Sequence, residues 1–187
     1  YKRQLVGSTR TIQIKADLKE TPHLLVAGQT GSGKSTFVRG LISGLYAKSK
    51  SMEFSLIDLK GGLEFQIFEN LKRVKVIPSI EKTVLELKKL EKELNYRMKL
   101  LHEHEVNDLE ALLEKLDEGE KKLNRRLVVI DEAAEIFLGG HHATNLELSI
   151  ARRIVSQIAR QGRAVGVHLV MATQRPDAKA LDPQVKT

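Results

Sequence analysis

Short apolar runs separated by longer amphipathic stretches set the pattern of this chain. His23-Leu24-Leu25-Val26-Ala27, Phe54-Ser55-Leu56-Ile57-Asp58, Val74 to Ile77, Leu127-Val128-Val129-Ile130 and Val167 to Ala172 are each four to six residues long. They are continuously apolar rather than alternating, as strands buried on both faces of a parallel sheet are. Each ends at a breaker or polar group: Gly28, Lys60-Gly61-Gly62, Pro78, Asp131-Glu132 and Thr173-Gln174. Between them the apolar spacing becomes helical. Val38, Leu41, Ile42 and Leu45 mark one helix over Phe37 to Tyr46, and Val84, Leu87, Leu90 or Glu91, Leu94, Met98 and Leu101 mark a long one over 81–103. Leu109, Leu112, Leu113 and Leu116 predict a helix near 108–118 capped by Asn107 or Asp108. Ile150, Ile154, Val155 and Ile158 predict another from Asn145 to Gln161, with Gly162 near its end. The polar first twenty residues predict one leading strand or arm around Thr11 to Ile14, and Gly139-Gly140-His141-His142 reads as a loop.

Strands alternating with helices predict an α/β fold, with a mostly parallel sheet and helices on both faces. Right-handed crossovers then bring the carboxyl end of every strand to one rim, where Gly28, Asp58, Asp131 and Thr173 fall and where such sheets bind ligands. One domain over 1–187 is expected, its core about 20–180, with a helical segment 81–126 between strands.

Composition narrows the chemistry. A hydrophobic share of 41% against 29% charged residues excludes wholesale disorder. The absence of cysteine excludes disulfide scaffolds, thiolate metal sites and cysteine nucleophiles, and fits a reducing compartment. No run approaches the roughly 18 apolar residues of a spanning helix, so a soluble domain is expected. His102 and His104, two apart on a helix, point to different faces and do not form a metal site; His141 and His142 read as linker. The net charge of +7 is uneven: residues 1–50 carry nine Lys/Arg against two acids, whereas 127–150 carry four acids and no Lys or Arg. That balance is compatible with a polyanionic partner without demonstrating one.

Three motifs at the rim carry chemistry. Gly28-Gln29-Thr30-Gly31-Ser32-Gly33-Lys34-Ser35-Thr36 is a complete Walker A sequence placed after a strand and opening a helix. Its glycines let the backbone curl so that N–H groups and the helix N-terminus face phosphate oxygens. Lys34 reaches the β- and γ-phosphates, and the Ser35 hydroxyl ligates Mg²⁺. Leu127 to Glu132 fits Walker B: Asp131 holds the metal through its water shell, and Glu132 polarises a water for attack on the γ-phosphate, where the plainer alternative has Asp131 merely ending a strand. Thr173-Gln174 suits a γ-phosphate sensor, against a simple turn set by Pro176.

The segment His23 to Ser35, the Val128-Val129-Ile130-Asp131-Glu132 strand and above all Gly162-Arg163-Ala164-Val165-Gly166-Val167-His168-Leu169-Val170-Met171-Ala172-Thr173-Gln174-Arg175-Pro176 resemble the FtsK/SpoIIIE family of DNA-pumping ATPases. Asn95-Tyr96-Arg97-Met98 also sits where that family has an arginine- and aromatic-containing helix. The resemblance spans residues 20–180. It implies a RecA-like P-loop NTPase that binds ATP and Mg²⁺, assembles as a homo-oligomeric ring, usually a hexamer, and moves DNA through its centre. Lys34, Glu132 and Gln174 would act on the nucleotide, with a neighbour's arginine completing the site; Arg163 is the first candidate and Arg160 the second. Asp58-Leu59-Lys60-Gly61-Gly62 stands where chromosome-segregating members have Asp-Pro-Lys, and is more like members from conjugative plasmids, integrative elements and some secretion systems. The family's motor domain continues with further strands beyond the position of Thr187, so a fragment truncated at its C-terminus is expected, from the cytoplasmic part of a membrane-associated parent whose anchor is not in this chain. A protein-secretion ATPase of the same superfamily, and a nucleotide-binding assembly module that does not hydrolyse, are the alternatives.

Overall fold

The structure, a computed structural model, describes residues 4–8, 13–117, 123–139 and 143–175. Its main sheet is built from β3 (His23–Ala27), β4 (Glu53–Asp58), β5 (Val74–Ile77), β6 (Arg126–Asp131) and β7 (Val167–Thr173), in the spatial order β3-β7-β6-β4-β5 with every neighbouring pair parallel. These are the five apolar runs of the sequence. In place of one leading strand there are two, β1 (Gln4–Ser8) and β2 (Gln13–Ala16), paired antiparallel as a separate ribbon. Thr11 and the loop residues His141 and His142 lie outside the described residues, as does Pro176.

Successive side chains of each strand point to opposite faces, and both faces are covered. On one, Phe54 and Leu56 of β4, Leu127 and Val129 of β6, and Val170 and Ala172 of β7 pack on α1 (Lys34–Lys48) through Val38, Leu41, Ile42 and Leu45. On the other, Ile57, Val128, Ile130, Leu169 and Met171 pack on α2 (Ile80–Glu103) and α4 (Asn145–Val165), joined by Leu112 of α3 (Leu109–Lys115). Caps start these helices where their residue types allow: Ser79 accepts from Lys82 N–H, Asp108 from Ala111 N–H, and Thr144 and Glu147 form a reciprocal capping box.

Helix α4 runs four residues past the expected Gln161 and stops at Gly166, whose φ of 71° is left-handed. Gly162 is inside the helix for a different reason: a Cβ there would lie 2.3 Å from the Val167 carbonyl oxygen. The glycine lets α4 turn tightly into β7. Just below, Arg97 of α2 is almost wholly buried; it donates to Val165 O at 2.7 Å and Asn124 O at 2.6 Å and pairs with Glu93. A cation at the last carbonyls of α4 complements the helix dipole. The arginine of the Asn95–Met98 stretch therefore holds the fold together, while Tyr96 is exposed.

The same edge holds two buried histidines. His168 Nδ1 faces Pro22 O at 3.2 Å and its Nε2 faces Arg125, and Leu169 N–H donates to His23 Nδ1 at 3.1 Å. Burial, reinforced by the Arg125 charge, lowers His168 to about 3; burial lowers His23 to about 4 against the opposing pull of the Ala159 backbone. Unfolded histidine titrates near 6.5, so between about pH 6.5 and 4 the unfolded chain takes up protons that the folded one refuses. Stability contributed by the neutral rings is complete above about pH 6.5 and declines below it, by at most about 1.4 kcal/mol per pH unit for each ring. Urea unfolding of wild type and His168→Gln at pH 7 and at pH 5 is expected to show a smaller acid loss in the variant; equal losses would remove His168 as a cause.

Candidate nucleotide site

The carboxyl ends of β3, β7, β6 and β4 meet on one rim, with Ala27 opposite Thr173 and Asp58 opposite Asp131 in register. The loop leaving β3 curls back on itself. Gly31 and Gly33 have φ of 82° and 86°, and a Cβ on Gly28 would come within 2.4 Å of Ser32 Oγ. Ser32 N–H donates to Gln29 O at 3.1 Å, and Gly28 N–H to Thr173 O at 3.2 Å, which ties the loop to β7. Helix α1 begins at Lys34 with Gly33 in the cap position, no capping side chain and no acid in its first turn. Such a start leaves its N–H groups and the positive end of its dipole to an external anion. Gln29, Thr30 and Thr36 are exposed and Ser35 half-buried along the same curl.

Lys34 points inward. Its Nζ lies 2.6 Å from Asp131 Oδ1, and the two side chains are only 5% and 6% exposed. Strand β7 separates β3 from β6, so the two motifs stand two strand spacings apart, roughly 10 Å, a gap that the long lysine stem bridges.

Glu132 follows with φ of 57°, a left-handed conformation that costs a non-glycine residue roughly 1–2 kcal/mol. The turn aims its carboxylate at the end of β7. Thr173 Oγ1 donates to Oε1 at 2.8 Å and Gln174 N–H at 3.2 Å, while Lys60 Nζ donates to Oε2 at 2.9 Å. Burial opposes ionisation of this carboxyl, but the bonds from Lys60, Thr173 and Gln174 N–H outweigh it and hold it below the usual carboxylate range. Thr30 Oγ1 donates to Gln174 Oε1 at 3.2 Å, so the phosphate loop and the Thr173-Gln174 pair touch directly.

The structure thus gathers Gly28 to Thr36, Asp131, Glu132 and Gln174 into one place. It does not bring Arg163 there. Arg163 lies in the last turn of α4, at the amino-terminal edge of the sheet, where its Nε donates to Lys19 O at 3.1 Å; Arg160 is one turn earlier and exposed. Lys60 and Asp58, by contrast, belong to the rim and carry no site role in the sequence patterns. Asp58 is completely buried and accepts from Lys60 N–H at 3.0 Å and Glu64 N–H at 2.7 Å, shaping the loop that presents Lys60. A lysine directly after a rim strand was the available signal.

A sequence profile of the FtsK/SpoIIIE family matches residues 4–178. The DNA translocase FtsK of Helicobacter pylori strain J99 is 35% identical over 176 residues, covering 91% of this chain and 20% of that protein. The chain therefore spans about a fifth of the length of this curated relative. Among solved structures, the pCW3 conjugation coupling protein TcpA, a monomer form with ATPγS, superposes with a TM-score of 0.88 at 35% identity, covering 98% of this chain and 51% of that one. The cytoplasmic domain of the Thermomonospora curvata type VII secretion ATPase EccC gives 0.77 at 27% identity, over 98% of this chain and 22% of its own.

Removing Lys34 would leave Asp131 buried without its partner, a change that costs about 3–5 kcal/mol at comparable sites. Urea unfolding of nucleotide-free protein is expected to show such a loss for Lys34→Met, and part of it returned in the Lys34→Met, Asp131→Asn double variant. A loss below about 1 kcal/mol would show that solvent already satisfies Asp131.

Proposed function

The chain belongs to the FtsK/SpoIIIE family, and from that premise we propose that it is the ATP-hydrolysing motor unit of a DNA translocase, of the kind that couples DNA to conjugative transfer. The observation that carries this is the meeting of Lys34, Asp131, Glu132 and the Thr173-Gln174 pair around a glycine curl at the mouth of α1. Backbone N–H groups of Gly28 to Ser35 wrap the phosphates, and Lys34 exchanges Asp131 for phosphate oxygens. Ser35 and Asp131 are the residues to hold Mg²⁺, which when bound neutralises charge on the phosphates. Glu132 orients a water in line with the γ-phosphate and accepts its proton. Gln174, joined to Thr30 and to Glu132 through its own N–H, senses whether the γ-phosphate is present.

Arg163, with Arg160 as second choice, acts on the site of an adjacent copy: at the far edge of the sheet it cannot serve its own. The assembly is a homo-oligomeric ring, hexameric as the family resemblance implies. DNA contact is electrostatic and independent of sequence, in keeping with the net charge of +7. Among the described residues no helix is long and apolar enough to cross a membrane, so any membrane attachment belongs to other parts of the parent protein.

The similarity to EccC supports a second reading, in which the cargo is a polypeptide. ATP turnover of the intact protein, measured with duplex DNA, single-stranded DNA and peptide, separates the two. Stimulation by DNA that falls steeply with salt is expected. Indifference to DNA with a response to peptide would favour secretion, and ATP binding without any turnover would favour an assembly module. Glu132→Gln is expected to lower turnover by about 10²-fold or more while ATP binding persists; retained turnover would remove Glu132 as the base.

A further inference from the structure

Every acceptor position of Glu132 is taken in the nucleotide-free site. Oε1 accepts from Thr173 Oγ1 and Gln174 N–H; Oε2 accepts from Lys60 Nζ at 2.9 Å and from the same Gln174 N–H at 3.3 Å. A carboxylate offers about four lone-pair directions, so this one has none to spare for a water. A base in that state cannot orient a nucleophile. One of its contacts has to open, and the structure distinguishes among them. Thr173 and Gln174 N–H sit at the end of β7, a strand hydrogen-bonded on both sides and wholly buried. Lys60 comes from a loop, and its side chain is 41% exposed.

We propose that Lys60 is a positioning residue that holds Glu132 in a resting arrangement, and that hydrolysis requires the Lys60–Glu132 ion pair to open. This rests on the assignment of Glu132 as the water-orienting group. The loop is built to supply a lysine at this point. Asp58, buried at the end of β4, fixes the backbone of Lys60 and Glu64 with its two oxygens, so the root of the lysine is rigid while its stem is free. Gly61 and Gly62 turn the chain sharply beyond it with φ of 99° and 81°, and a Cβ on Gly62 would come within 2.8 Å of Pro78 Cβ. Lys60 therefore acts as a latch on a fixed post: its ammonium can leave Glu132 without moving the sheet, and anionic groups entering the rim compete for it.

Two variants and two measurements test this. Lys60→Met removes the charge and keeps the stem; Lys60→Arg keeps a cation. In the intact protein without DNA, Lys60→Met is expected to raise kcat for ATP by about threefold or more with KM within about twofold, and Lys60→Arg to stay near wild type. Unfolding of nucleotide-free protein by urea provides a readout that needs no ATP: the losses in Lys60→Met and Glu132→Gln are expected to be non-additive in the double variant, as for residues in direct contact. An unchanged or lower kcat in Lys60→Met with ATP binding intact, a change confined to KM, or additive unfolding losses would each overturn the proposal. The assignment of Glu132 itself fails separately, if Glu132→Gln retains turnover in both backgrounds. Lys60→Gln serves as a second neutral variant should the methionine protein not fold.

Discussion

Because β7 stands between β3 and β6, the phosphate loop and the acid that closes β6 are two strands apart, and the buried bond from Lys34 Nζ to Asp131 Oδ1 joins them. The rest of the rim is arranged around that bond. It draws the start of α1 over the sheet, sets the curl of Gly28 to Gly33 above β7, and leaves the first turn of the helix without a cap of its own. Buried ion pairs are poor stabilisers compared with apolar packing of the same volume. A site whose cation must later engage phosphate has a different reason to keep one: the lysine has to be desolvated and aimed before the anion arrives, and the aspartate supplies the charge that makes this tolerable.

Charge pairing extends one residue further. Lys34 with Asp131 and Lys60 with Glu132 make two cation–carboxylate pairs side by side at the ends of β6 and β4. With no anion bound the four charges compensate one another, and the low dielectric around them makes each partner hard to remove singly. An incoming polyphosphate competes for both lysines, so in the proposed cycle binding and the release of the two acids are the same event. The left-handed backbone at Glu132 belongs to this design, since an ordinary helical or extended residue there would not carry its carboxylate to Thr173 and Gln174.

At the opposite edge of the sheet the polar groups do other things. Arg97 closes the end of α4, His168 and His23 are held neutral by burial, and Gly162 and Gly166 allow a tight passage into β7. These residues are committed to holding helix ends and strand starts together. That rigidity lets the rim carry strain and unpaired potential, and it places Arg163 on a surface from which it can face only another molecule.

Much was legible in the chain. The continuous apolar runs located all five strands of the main sheet, because burial on both faces leaves no room for polar alternation; the three-and-four spacing located α1, α2, α3 and α4. The glycine curl with Lys34 and Ser35, and the Asp131-Glu132 pair, could be read because their chemistry is local: a few consecutive residues build the cradle, and one strand end presents the acids. The errors were also local in origin. Gly162 reads as a stop when only its neighbours in sequence are considered, yet its absent side chain answers the Val167 carbonyl; the ribbon of β1 and β2 pairs weakly apolar segments, so periodicity alone shows only one of them. What the sequence by itself determined was thus the set of elements and the residues at their carboxyl ends. Which strands are neighbours, and so which lysine meets which acid, only the tertiary structure decided, because pairing across a parallel sheet is settled by helices packing on both faces, through contacts between residues that no short stretch of chain contains.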